Sequence, residues 1–249
     1  MKLTNKIAII LAGGNATRLF PMSNYISKHL LPIFDKPMIY YPLSNALLAN
    51  FRDIIFIVRE NDLPIYSNFL GDGSRYGCNF KFIVQKKPDG IASIFYLVRD
   101  FIDNKKIMLL LGDNLFFGSG LEEILVNSNE NNEGATFFCY PVSNPKDFGV
   151  ANFKNNKLIS IVEKPNKPSS NLAIPGIYFY KNDIFKNLDK IKKSKRGELE
   201  ITDLNNRYIK NNNFKYTSLT RGITWLDTGN PESLITASQY VKTIQERQG

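Results

Sequence analysis

Apolar residues in the first half of the chain fall into short continuous runs separated by longer stretches of helical period. Residues 6–12, 54–58, 80–84 and 107–111 read as strands, and 38–49, 63–70 and 91–101 carry the helical pattern. The runs at 7–11 and 107–111 are apolar without alternation, as expected of strands covered on both faces of a parallel sheet. Strand and helix in turn predict an α/β layer with right-handed crossovers. Ligands in such sheets collect at the carboxyl ends of the strands. Residues 13–18 and 112–114 follow two of these runs, so they are expected beside one another at a single crevice.

The second half changes style. Residues 135–141 and 174–180 are strand-like, and 149–153 with 158–162 read as a hairpin turning at 154–157, where Asn and Lys fill the loop. Pro231 is placed in the first turn of a final helix running to about residue 245. There is no internal repeat and no linker rich in Pro, Gly or Ser. The expectation is one domain over 1–249, of α/β class. Its central sheet is Rossmann-like and mostly parallel, flanked by helices, with a small antiparallel elaboration.

Composition narrows the chemistry more than the fold. The single histidine, His29, and two cysteines 61 positions apart, Cys78 and Cys139, leave no zinc or redox spacing. The apolar start, 7–12, is too short for a signal sequence and runs straight into Gly13-Gly14. Asn15-Ala16-Thr17 matches a glycosylation sequon, which has meaning only in a secreted chain. No run reaches membrane-spanning length, so cytoplasm is the default expectation. The net charge of +9 suits polyanionic ligands, but the basic residues are scattered rather than gathered into an arm or stripe. Neither a nucleic acid nor a membrane is therefore an expected partner.

Candidate chemistry lies at the strand ends. Leu11-Ala12-Gly13-Gly14-Asn15-Ala16-Thr17-Arg18-Leu19 follows a buried strand, where small residues let successive N–H groups form a concave nest for phosphate. Arg18 adds a planar, permanently charged fork. The loop is neither a P-loop nor a dinucleotide fingerprint, and a Gly-Gly turn alone is more often merely a tight turn. Lys28 is a candidate phosphate contact, while a lone histidine such as His29 is more often structural. Asp113, in Gly112-Asp113-Asn114, and Asp227, in Leu226-Asp227-Thr228-Gly229, could together hold Mg²⁺, which takes one or two carboxylates plus waters and substrate phosphates. Glu163-Lys164-Pro165 offers an acceptor for sugar hydroxyls and a cation for phosphate. Taken singly, each is equally a turn, a cap or an exposed ion pair.

Taken together and in order, these segments resemble the sugar nucleotidylyltransferase family, most closely its glucose-1-phosphate thymidylyltransferase branch. The match runs from Ile7 to the C-terminus. It includes Lys36-Pro37-Met38-Ile39-Tyr40-Tyr41-Pro42-Leu43, Gln85 with Pro88-Asp89-Gly90, Gly112-Asp113-Asn114, Glu163-Lys164-Pro165, Arg196-Gly197-Glu198-Leu199-Glu200-Ile201-Thr202-Asp203 and Trp225-Leu226-Asp227-Thr228-Gly229. The resemblance implies transfer of a nucleotidyl group from dTTP to glucose 1-phosphate, by direct in-line attack with loss of pyrophosphate. It implies a nucleotide half over about 1–115 and a sugar half over about 116–249. Arg18, Lys28 and Lys164 would be catalytic, and Asp113 and Asp227 would hold Mg²⁺. Leu11, Gly13, Gly14, Ala16, Thr17, Arg18, Lys28, Gln85, Pro88, Gly90 and Asp113 would meet the nucleotide. Asn114, Gly149, Glu163, Lys164 and Ile174 would line the sugar. A cytoplasmic homotetramer is implied as well.

The chain departs from the family pattern at Ala16, where glycine is usual, and at His29, where glutamine is common. It departs again at Phe148, where tyrosine is common, and at Ser93 of Ala92-Ser93, where glutamine is. These places lie near the nucleotide or sugar, so UTP for dTTP, and another hexose 1-phosphate for glucose 1-phosphate, remain alternatives. A nucleotide-binding regulatory homologue is a further one, against which the intact Arg18, Asp113, Lys164 and Asp227 speak. Long-form relatives continue beyond Gln248-Gly249 into a segment associated with regulation.

Overall fold

A computed structural model describes residues 5–14 and 16–248, so the sequon's Asn15 and the first four residues lie outside the described part. The first strand, β1 (Lys6–Leu11), leads through the glycine loop to a small hairpin of β2 (Pro32–Ile33) and β3 (Lys36–Pro37). Next come α1 (Tyr40–Leu48), β4 (Asp53–Val58), α2 (Leu63–Leu70) and β5 (Asn79–Val84). The short helices α3 (Ile94–Leu97) and α4 (Arg99–Ile102) precede β6 (Lys106–Leu111), β7 (Asn114–Gly118), α5 (Leu121–Glu130) and β8 (Ala135–Pro141). The chain then forms β9 (Gly149–Lys154), β10 (Lys157–Glu163), β11 (Leu172–Ala173), β12 (Ile177–Tyr180), α6 (Ile184–Leu188) and α7 (Ile201–Lys210). It closes with β13 (Phe214–Ser218), β14 (Ile223–Asp227) and α8 (Pro231–Gln248).

One mixed sheet runs in the order β10-β9-β11-β8-β12-β6-β1-β4-β5, with β13 added beside β8. Its core, β6-β1-β4-β5, is parallel, and β12 enters antiparallel between β6 and β8. The apolar runs are explained by burial on both faces. Ala8 and Ile10 join one core cluster with Phe56 and Leu110, while Ile7 and Ile9 join another with Ile57 and Leu109. The hairpin β9–β10 turns at Asn155 and Asn156, both with positive φ, the geometry a two-residue hairpin loop requires. A separate ladder, β7 with β14, sets Asp227 opposite Asn114 and Trp225 opposite Phe116.

Several boundaries differ from expectation, most of them where a tertiary hydrogen bond overrides local preference. The first helix starts at Tyr40 rather than Met38, since Met38 and Ile39 give their N–H groups to Leu31 and His29. The helix expected over 91–101 is broken into a 3-10 turn, Ile91–Ser93, followed by α3 and α4. Ala92 donates to Leu199, and β-branched Val98 leaves helical geometry at φ −106°, ψ 9°. The strand expected over 174–180 shrinks to β12, because Pro175 has no N–H and that of Gly176 goes to the Asn114 side chain. The final helix runs three residues further than expected, to Gln248. The sequence reading placed no elements at α5, α6, α7, β7, β13 or β14.

Candidate active site

β1 and β6 are paired parallel with Leu11 beside Leu111, so the loops that follow them open at one sheet edge. The Leu11 carbonyl accepts the Gly112 N–H at 3.0 Å. A Cβ at Gly112 would come 2.7 Å from that carbonyl and 2.6 Å from the His29 ring, so only glycine lets the three segments close up. The His29 ring is buried, with Nδ1 3.1 Å from Ser27 Oγ, which itself lies 2.9 Å from the Tyr66 hydroxyl. Burial first, and the Lys28 charge second, lower its pKa to about 3. The ring is therefore a neutral packing element, unsuited to proton transfer at neutral pH.

Lys28 forms an ion pair with Asp113, both side chains largely buried. Asp113 also accepts a 2.9 Å bond from the Asn114 amide. Burial pushes its carboxyl up, but Lys28, His29 and these hydrogen bonds outweigh it and hold the group below the usual carboxylate range. Asp227 is fixed nearby, because the N–H and hydroxyl of Thr228 both donate to the Asp113 carbonyl, at 3.0 and 2.8 Å. Its carboxyl is pushed up to about 6, by burial foremost and then by the Asp113 charge, against the pull of Lys28 and Arg18. Arg18 rides on a 3-10 turn, Thr17–Leu19, entered through Ala16 in the left-handed region at φ 46°, where glycine would be unstrained. Its guanidinium reaches Gly229: a Cβ there would stand 2.7 Å from Arg18 Nη2 and 3.0 Å from Asp227 Oδ1.

A polar cavity of about 210 Å³ opens beside this charged cluster. Arg18, Asp113, Asn114, Gly149, Glu163, Lys164, Ile174 and Asp227 all line it, gathering in one place residues from six separate stretches of sequence. Glu163 accepts from the Thr202 hydroxyl at 2.6 Å. Lys164 sits at φ 43°, a left-handed conformation unusual for a lysine, with its N–H held by the Phe148 carbonyl at 3.0 Å. Phe148, noted from sequence as a departure near the nucleotide or sugar, lines it too, and so do Gly176, Tyr178, Thr202, Asn205 and Trp225, which were not singled out. Thr202 and Trp225 lie within the Arg196–Asp203 and Trp225–Gly229 motifs, which carried the only signal for them.

A second polar cavity, of about 510 Å³, is lined by Gly14, Gln85 and Pro88, with Asn24, Tyr25, Arg59, Asp62 and Lys86 added by the fold. Gly13 lies against Gln85, whose Oε1 would stand 3.0 Å from a Cβ placed there. Gly90 has φ 99° and packs so tightly on Leu199 that a Cβ would come 2.4 Å from that carbonyl. Of the nucleotide residues expected from sequence, Leu11, Gly13, Ala16, Thr17, Lys28 and Gly90 thus shape backbone or pair with charge rather than line this cavity.

The nucleotidyl transferase family model matches residues 7–244. Glucose-1-phosphate thymidylyltransferase of Xanthomonas campestris is 46% identical over 99% of this chain and 84% of its own length. The enzyme of that name from Mycolicibacterium smegmatis is 45% identical over 97% and 84%. A Bacillus anthracis crystal structure with bound sucrose, itself assigned to glucose-1-phosphate thymidylyltransferases, superposes with a TM-score of 0.86 at 38% identity, covering 95% of both chains. Mixed sheet, strand-end loops and sequence agree: this chain belongs to the nucleotidyl transferase family of enzymes.

Proposed function

We propose that this chain transfers a thymidylyl group from dTTP to glucose 1-phosphate, giving dTDP-glucose and pyrophosphate. The observation that carries this reading is the meeting of Arg18, Lys28, Asp113 and Asp227 at the edge of a polar cavity that also holds Glu163 and Lys164. Relatives named for the same reaction support the substrates. A phosphate oxygen of the sugar substrate attacks the α-phosphorus in line and pyrophosphate leaves. That oxygen is already anionic, so no side chain must remove a proton, and positioning with charge stabilisation carries the catalysis. Arg18 receives the charge that shifts to pyrophosphate, Lys28 faces the α-phosphate, and Lys164 holds the sugar phosphate. Gln85, beside Gly13 and Pro88, offers the donor and acceptor that a pyrimidine edge needs.

The donor set fits Mg²⁺. Asp113 and Asp227 are oxygen donors within one charged cluster, where burial foremost and then the Asp113 charge raise the pKa of Asp227. Among the described residues no third carboxylate, His or Cys joins them, so the remaining ligands would be phosphate oxygens and water. Bound there, the ion would supply concentrated positive charge to the phosphate oxygens. Among the described residues no helix is long and apolar enough to cross a membrane, and we place the reaction in a cytoplasmic homotetramer, with mass by sedimentation as its check. ³¹P NMR of purified protein with dTTP, glucose 1-phosphate and Mg²⁺ should show pyrophosphate and dTDP-glucose growing together. Absence of both, or full turnover in excess chelator, contradicts the reading.

A further inference from the structure

We propose that Asn114 is a positioning residue that aims the Asp113 carboxylate and ties it to the wall of the sugar cavity; the proposal rests on the assignment of Asp113 above. Asn114 is buried, at 6% exposure, and its amide is spent on three partners. Its Oδ1 accepts the Gly176 N–H at 2.9 Å and the Trp225 indole N–H at 2.7 Å, while its Nδ2 donates to Asp113 Oδ1 at 2.9 Å. The amide orientation is unambiguous, since two donors face one end and a carboxylate faces the other; flipping it would break all three bonds. Packing reinforces the arrangement. A Cβ at Gly176 would lie 2.8 Å from Asn114 Oδ1 and 2.6 Å from Leu111, so the backbone is pressed against the amide. Trp225 is wedged among Phe148, Tyr140 and Phe116, with ring centroids 5.0, 5.7 and 6.4 Å away.

Asp113 is thereby gripped on both oxygens, by Lys28 on Oδ2 and by Asn114 on Oδ1. The Asn114 grip is anchored in two walls of the sugar cavity, β14 through Trp225 and the approach to β12 through Gly176. A carboxylate that binds a metal or aligns phosphates needs such a partner, and losing one typically costs about 10–100-fold in activity or metal affinity. A sugar ligand has only the second Nδ2 hydrogen left to use. The residue's main work is on Asp113.

Two substitutions separate this role from fold maintenance and from sugar binding. Asn114→Asp keeps both acceptor bonds, to Gly176 and Trp225, but replaces the donor to Asp113 with a like charge. Trp225→Phe keeps an aromatic ring, removes the distal donor together with part of the packing on Phe148, Tyr140 and Phe116, and leaves the charge unchanged. Wild type and both variants, singly and combined, are assayed with dTTP, saturating glucose 1-phosphate and Mg²⁺. Trp225 is the only tryptophan, so its emission reports the site directly in Asn114→Asp. The expected result is a fall in kcat of about 10–100-fold for Asn114→Asp, with KM for glucose 1-phosphate and Trp225 emission near wild type and a melting midpoint lowered at pH 7 by the buried like charge. Trp225→Phe should lower kcat in the same direction, and Asn114→Asp should cost less in that background than alone, because the two act through one chain of bonds. Unchanged kcat with raised sugar KM, or strictly additive effects, overturns the proposal. If Asn114→Asp does not fold, unchanged kcat in Trp225→Phe overturns it equally. An inactive wild type would instead remove the functional reading, and this inference with it.

Discussion

Asp113 and Asp227 are the same residue type at two strand ends, yet their surroundings drive them apart. Lys28 and Asn114 grip the first, while the second faces it across buried space, with its pKa pushed up to about 6. The folded protein therefore keeps the Asp227 proton to higher pH than the unfolded chain does, and stability falls as pH rises from about 4 to about 6. The cost above that range is up to about 3 kcal/mol. Asp227→Asn should raise the melting temperature of the substrate-free protein at pH 7, a gain that shrinks as pH is lowered towards 4, while turnover falls by orders of magnitude. A less stable Asp227→Asn at pH 7 would show that its ionised form is compensated. Arg18 supports a second prediction. Its guanidinium stands beside Asp227 and lines the cavity, where the proposed reaction would shift negative charge to the leaving group. Arg18→Ala should lower kcat about 10²–10³-fold with little change in nucleotide KM. A change in KM alone would mean uniform binding of ground and transition states.

At the level of elements, what could be read from sequence was what local pattern encodes. β1 and β6 announced themselves as unbroken apolar runs because both faces are buried, and their adjacency followed from ordinary α/β geometry. The β9–β10 hairpin was legible in its Asn-Asn turn. α7 was not, although its buried positions repeat with helical period, because polar side chains occupy that face. Asn205 accepts from the Tyr180 hydroxyl at 2.7 Å, and Asn206 bridges the Ile161 N–H and carbonyl at 2.8 Å each. Those residues read as surface until the β10 and β12 partners are known. The charged site residues were visible as motifs, whereas Gly176, Tyr178 and Asn205 owe their place wholly to tertiary pairing. Gly90 tests one such pairing. Its positive φ and contact with Leu199 join the 89–92 segment to the 194–200 loop. Gly90→Ala should destabilise the fold by at least about 2 kcal/mol through overpacking and backbone strain. Unfolding midpoints in urea check this, and an unchanged midpoint would mean the two segments separate freely.

Across the whole molecule, two polar cavities divide the candidate site residues between them. Gly14, Gln85 and Pro88 face one, Glu163, Lys164 and Ile174 face the other, and Arg18 with Asp113 and Asp227 lies along the second. The net charge of +9 suits anionic substrates but selects none of them. On the proposed reading, base selection would fall to Gln85, whose amide would match the neighbouring carbonyl and N–H of a pyrimidine and leave its own groups unpaired against a purine. A site built on such bonds rejects mismatches strongly, whereas the methyl that separates thymine from uracil is worth only about 1–3 kcal/mol. The most direct test is kcat/KM for dTTP, UTP, ATP and GTP with glucose 1-phosphate, read as pyrophosphate release. The account predicts dTTP first, UTP measurable and lower, and both purines close to background. A preference for ATP or GTP, or release of no pyrophosphate with any of the four, would contradict it.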